Sequence, residues 1–152
     1  MPEQTSQGIG FVIVTHGRLG EELRHVASYI MGGQLGEIAV VEVPFMGEIQ
    51  QELQPDKPFA DRRERIALLL AQAVTQVESG SGVIVFTDIL GGTSFNVARQ
   101  VMTGRQGAVV AGVNLPMLLK AASIRQLPVE QATAELVQRT RNAVVAQPKY
   151  ED

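Results

Sequence analysis

The sequence predicts an α/β protein built on a doubly wound, mostly parallel sheet with helices on both faces. Three observations carry this. Short, β-branched, nearly continuous apolar runs recur along the chain, which is how strands buried on both faces read. Between them lie stretches with apolar residues at three- and four-residue spacing and charges opposite, the pattern of amphipathic helices. Strand and helix signals alternate throughout, and no internal repeat or low-complexity tract interrupts them. With 152 residues, 45% apolar and 19% charged, the chain reads as one domain, 1–152, with its core in 8–146.

The first strand is Ile9 to Thr15, closing on His16-Gly17. A helix follows in which Leu19, Leu23, Val26, Ala27 and Ile30 share a face, ending at Gly32-Gly33. Glu37 to Val43 is the second strand, stopped by Pro44. Phe45 to Ala60, with Gly47, Pro55 and Pro58, reads as a long loop with one helical turn around Ile49 to Leu53. Asp61 caps the next helix, whose apolar face is Ile66, Leu69, Leu70, Ala73 and Val77. The run Ser79-Gly80-Ser81-Gly82 breaks the chain before the third strand, Val83 to Phe86, which closes on Thr87-Asp88. A helix from about Ser94 to Met102, a fourth strand from Ala108 to Val113, and a helix opened by Asn114-Leu115-Pro116 come next. After Pro128 a last helix runs from Val129 to Ala146 on Ala132, Leu136, Arg139 and Val144.

Composition excludes several function classes. Thirteen Lys plus Arg against sixteen Asp plus Glu give a net charge of −3, which lacks the basic surface that nucleic acid demands. No apolar stretch approaches the ~18 residues of a membrane span, and nothing before Phe11 reads as a secretory signal. A soluble, cytoplasmic protein is the expectation. The absence of Cys removes disulfides, thiolate nucleophiles and zinc-thiolate sites, and two His residues leave no transition-metal site. Gly8-x-Gly10 precedes its strand instead of following it, so it is no dinucleotide fingerprint, and no Walker lysine pattern occurs.

Ligands of doubly wound sheets bind beyond the carboxyl ends of the strands, where the winding reverses. In a flavodoxin-like strand order that place lies between strands one and three, so His16 and Asp88 meet there. Asp88 then accepts a hydrogen bond from the N–H of one ring nitrogen, fixing the tautomer and leaving the other nitrogen nucleophilic. Gly91-Gly92-Thr93-Ser94 precede a helix, where backbone N–H groups, the helix dipole and the Thr93 hydroxyl suit a phosphate. His25 reads as a surface residue, Arg18 as a helix-start residue with a second possible task near phosphate, and the Arg62, Arg63, Arg65 cluster as a solvated face. Met46, Met102 and Met117 read as packing residues.

Three segments together carry a family resemblance: Val14-Thr15-His16-Gly17; Thr87-Asp88-Ile89-Leu90-Gly91-Gly92-Thr93-Ser94-Phe95-Asn96; and Ala111-Gly112-Val113-Asn114-Leu115-Pro116-Met117-Leu118. The chain resembles the mannose-family IIA domain of the phosphoenolpyruvate-dependent sugar phosphotransferase system. The resemblance implies that His16 accepts a phosphoryl group from the carrier protein HPr and passes it to a IIB component. It implies a catalytic pair of His16 and Asp88, a phosphate-binding turn of Gly91, Gly92 and Thr93, no metal and no cofactor beyond the phosphoryl carried on His16, a homodimer, and membrane association only indirectly, through a transporter complex. Ser94 stands where the family usually has Pro, which predicts a looser turn. Three alternatives stand beside this one: a subunit feeding phosphate to dihydroxyacetone kinase, a signalling receiver phosphorylated on Asp88, and a noncatalytic flavodoxin-like binding module. The receiver needs an acidic pair where this chain has Thr15-His16.

Overall fold

The computed structural model describes residues 8–45 and 59–147. Strand β1 (Gly10–His16) leads through α1 (Leu19–Ile30) to β2 (Ala39–Val43); α2 (Phe59–Val77) leads to β3 (Val83–Thr87), and α3 (Thr93–Met102) to β4 (Gly107–Ala111). Helices α4 (Leu115–Ile124) and α5 (Val129–Asn142) complete the described chain. The sheet has the order β2-β1-β3-β4, and every pairing is parallel. The predicted class and order are therefore present, with the reversal between β1 and β3.

Side chains alternate across the strands and divide the core in two. Phe11, Ile13, Ile84 and Phe86 pack beneath α1, α4 and α5, with the Phe11 and Phe86 ring centroids 5.7 Å apart. Val12, Val14, Val83 and Val85 pack beneath α2 and α3. Because helices cover both faces, β1 has no polar alternation, and its apolar run is legible as a strand for that reason.

Several boundaries and faces depart from expectation. On α1 the buried residues are Gly20 and Ala27, with Leu23 packed behind them, whereas Leu19, Val26 and Ile30 are exposed. Gly20 explains the rotation: a Cβ there would lie 2.8 Å from Ile13 Cγ2 and 3.0 Å from Thr15 Oγ1, so the helix presents its smallest residues to the sheet. The Thr15 hydroxyl also accepts the Gly20 N–H at 2.8 Å. On α2, Val74 is buried and Leu69 exposed, the reverse of the prediction for Leu69. That helix already includes Phe59 and Ala60, so Asp61 does not cap it.

Strand β2 starts at Ala39, not Glu37, because the preceding carbonyls are claimed by side chains. Arg125 donates to Glu37 O at 3.2 Å and Arg24 to Ile38 O at 3.0 Å. Strand β4 ends at Ala111 because Gly112 turns the chain at φ +83°; the Val113 N–H then donates to Thr87 O at 2.9 Å. Helix α5 stops at Asn142, short of Ala146: Val144 and Val145 are exposed, and two β-branched residues without a surface to pack on do not prolong a helix. Most of the loop expected over Phe45 to Ala60, including Met46, lies outside the described residues.

Candidate functional site

His16 is the last residue of β1, and Asp88 directly follows β3. Since β1 and β3 are neighbours, with Val14 opposite Thr87, the two side chains meet at the carboxyl end of the sheet. The His16 Nδ1–H donates to Asp88 Oδ2 at 2.8 Å, and the His16 backbone N–H donates to the same oxygen at 2.9 Å. The other oxygen, Oδ1, accepts the Ile89 N–H at 3.0 Å and the Ser94 hydroxyl at 2.7 Å. Four donors thus converge on one carboxylate.

Such a set favours the ionised form. Burial pushes the Asp88 carboxyl up. The Ser94 hydroxyl, the His16 backbone N–H, the His16 ring bond and the His16 charge act against it, and together bring the group down from 3.8 to about 2. A carboxylate only accepts, so the His16 ring carries its proton on Nδ1 in the neutral form. Nε2 then holds a lone pair. No partner is bonded to Nε2 among the described residues, and the imidazole is about one-third exposed at 35%.

The turn after Asp88 brings α3 against the ring. Gly91 has φ +77°, where a side chain would be strained, and the chain then enters α3 through Gly92. A Cβ built on Gly92 would lie 3.7 Å from His16 Cε1, so Gly92 borders the imidazole. The Gly92 N–H is already used, donating to Ile89 O at 3.2 Å. Donors without an acceptor among the described residues are instead the N–H groups of Thr93, Ser94 and Phe95, in the first turn of α3. With the positive end of the helix dipole they form an electropositive pocket wall that carries no formal charge. On the other side, Gly17 is at φ +53° and the Phe45 ring packs over it, 2.6 Å from where a Cβ would be. Exposed Ile89, Leu90 and Phe45 give the rim an apolar character.

The remaining candidates fall away from this point. Arg18 pairs with Glu22 at 3.2 Å along the helix surface. His25 is exposed on α1 without a hydrogen bond or ion pair among the described residues. The Arg62 guanidinium donates to Pro44 O, and Arg63 and Arg65 are exposed. Met102 and Met117 are buried packing residues. No group of three His, Cys, Asp or Glu residues able to hold a metal occurs among the described residues. None of the described helices is long and apolar enough to cross a membrane.

Two residues hold positions that the sequence did not convey. Ser94, expected only to loosen the turn, is fully buried and bonded to Asp88. Thr87 is fully buried, and its Oγ1 has no hydrogen-bond partner among the described residues. A serine in a turn and a threonine in a strand are ordinary by type, so neither sequence position gives a signal.

The family model described as "PTS system fructose IIA component" matches residues 10–140. The PTS system fructose-specific EIIA component of Bacillus subtilis (strain 168) is 32% identical over 120 residues, covering 78% of this chain and 71% of that protein. The PTS system mannose-specific EIIAB component of Escherichia coli (strain K12) is 30% identical over 118 residues, 77% of this chain. That match spans only 32% of the Escherichia coli protein's length. Among solved structures, the mannose/sorbose specific IIA subunit of the phosphotransferase system from Enterococcus faecalis superimposes with a TM-score of 0.71 at 27% identity, covering 95% of this chain and 98% of that one.

Proposed function

This chain belongs to the PTS system fructose IIA component family, and from that premise we propose that it is a phosphocarrier in which His16 accepts a phosphoryl group from phospho-HPr and passes it to a IIB partner. The observation that carries the reading is the His16 Nδ1–H bond to Asp88 at 2.8 Å, with no partner on Nε2 among the described residues and Gly92, which leads into α3, bordering the ring at Cε1.

In the forward step the Nε2 lone pair attacks phosphorus. The nitrogen–phosphorus bond of the donor histidine breaks, and its electron pair stays on the donor ring. The His16 ring gains positive charge as the new bond forms, and the Asp88 carboxylate beneath Nδ1 stabilises that charge. The Nδ1 proton stays where it is. The phosphoryl oxygens meet the open N–H groups of Thr93 and Phe95 and the Thr93 hydroxyl, while Gly91 and Gly92 keep the approach clear. Transfer to the IIB partner is the same step reversed onto a new acceptor. No metal takes part in the chain's own site, and the protein works in the cytoplasm.

Among the described residues the four strands leave β2 and β4 each with one unpaired edge. Such edges need cover, and pairing of two copies to a homodimer supplies it. Sedimentation at micromolar concentration then shows a species of twice 16.4 kDa; a monomer alone contradicts the pairing.

The functional test is incubation with labelled phosphoenolpyruvate, enzyme I and HPr, beside a His16→Ala control. Label enters the wild-type chain and is absent from the variant, which keeps its circular dichroism spectrum. Retention of label by His16→Ala overturns the reading.

A further inference from the structure

We propose that Ser94 is a positioning residue for His16, acting through Asp88: its hydroxyl sets the plane of the carboxylate so that Oδ2 is held on Nδ1, and this ties the first turn of α3 to the ring. The inference rests on the phosphocarrier reading only for its kinetic arm.

The Asp88 carboxylate has one soft rotation, about its Cβ–Cγ bond. Oδ1 takes one bond from the neighbouring Ile89 N–H at 3.0 Å. That donor belongs to the same stretch of chain and moves with Asp88. Ser94 comes from α3, is fully buried, and donates at 2.7 Å. With Oδ1 pinned from a second element, Oδ2 is fixed where both His16 donors reach it, at 2.8 and 2.9 Å.

The hydroxyl is not spent on its own helix. The N-terminal cap of α3 is Gly92, and no side chain bonds into that cap. On α5, by contrast, Thr133 and Thr140 turn their hydroxyls onto carbonyls of the same helix, Val129 O at 2.7 Å and Leu136 O at 2.6 Å. The open backbone N–H of Ser94 is in the same turn as those of Thr93 and Phe95. One residue therefore joins the pair that sets the histidine tautomer to the turn with unfilled donors. Without the hydroxyl, the carboxylate swings, the Nδ1 bond loses its alignment, and a share of the rings moves its proton to Nε2. Those rings have no lone pair at the attacking nitrogen.

The test compares wild type with Ser94→Ala, a change that keeps the backbone N–H and favours a helix. Ring ¹⁵N spectra of His16 at pH 8 show the proton on Nδ1 in the wild type and a mixture of both tautomers in the variant. With phospho-HPr as substrate, kcat falls about tenfold while KM stays within twofold, the division expected for loss of an interaction made in the transition state. A wild-type tautomer and kcat in a folded Ser94→Ala protein overturn the inference, and leave the phosphocarrier reading standing. A wild-type chain that takes no phosphoryl group overturns that reading instead, and the ¹⁵N comparison still decides the role of Ser94.

Discussion

Asp88 holds His16 twice through one oxygen: Oδ2 accepts the ring Nδ1–H at 2.8 Å and the backbone N–H of the same residue at 2.9 Å. Bonding a side chain and its own main chain to one acceptor fixes the imidazole relative to β1. The other ring nitrogen, Nε2, has no partner among the described residues, and Gly92, which leads into α3, borders the ring at Cε1. Orientation and tautomer follow from one group 72 positions away in the chain.

Asp88→Asn breaks this arrangement in every amide orientation. With the oxygen toward His16, the NH2 group opposes the Ile89 N–H. With the NH2 toward His16, it opposes both His16 donors, and the ring must move its proton to Nε2. Transfer slows roughly a hundredfold, in line with loss of an orienting and charge-stabilising group. Steady-state rates with phospho-HPr check this.

The same carboxylate sets an acid limb of stability. Its folded value, about 2, lies below its ordinary 3.8, so the unfolded chain binds more protons between the two and stability rises with pH there. The contribution is complete above pH 4–5 and is lost as pH falls through about 2. Urea titrations from pH 6 to pH 2 show the gap between wild type and Asp88→Asn narrowing toward acid; a constant gap contradicts the assignment.

Gly92→Ala separates folding from transfer. Gly92 has φ −73° and ψ 177°, which alanine adopts freely, and the new methyl meets Ile89 O at 3.5 Å and His16 Cε1 at 3.7 Å, ordinary contact distances. Thermal stability changes by less than about 0.5 kcal/mol. Phosphoryl acceptance falls at least tenfold, because the methyl occupies the side of the ring where the transferred group arrives. Unchanged kinetics place that group elsewhere.

Thr87→Val removes a buried hydroxyl without a partner among the described residues and keeps the shape. Stability is unchanged or rises by about 1 kcal/mol, and phosphoryl transfer is unaffected. A large drop in rate makes Thr87 a member of the site.

Much of this arrangement was legible in the sequence. The runs in β1 and β3 show strands covered on both faces, and the winding rule then brings their ends, His16 and Asp88, together. The start of α4 at Asn114-Leu115-Pro116 was legible too, and there the Asn114 side chain accepts the Met117 N–H at 3.0 Å. What was not legible depends on tertiary packing. The buried face of α1 turns on Gly20 fitting against Ile13, which no periodicity of apolar residues reveals. The late start of β2 depends on Arg125, 88 positions from Glu37; its guanidinium also lies 4.6 Å over the Phe11 ring. Burial lowers the Arg125 pKa, with the charge of Glu37 working against the shift. Ser94 is the clearest case, since its bond to Asp88 exists only because α3 starts beside the end of β3.

The most direct measurement is the position of phosphate on the His16 ring, read by ³¹P and ¹⁵N NMR of the labelled protein after phosphorylation by phospho-HPr. Because Asp88 keeps the proton on Nδ1, the phosphoryl group belongs on Nε2, with the acid lability and alkali stability of a phosphoramidate. Phosphate on Nδ1 contradicts the geometry at its centre, and alkali-labile phosphate on Asp88 replaces the carrier with a receiver.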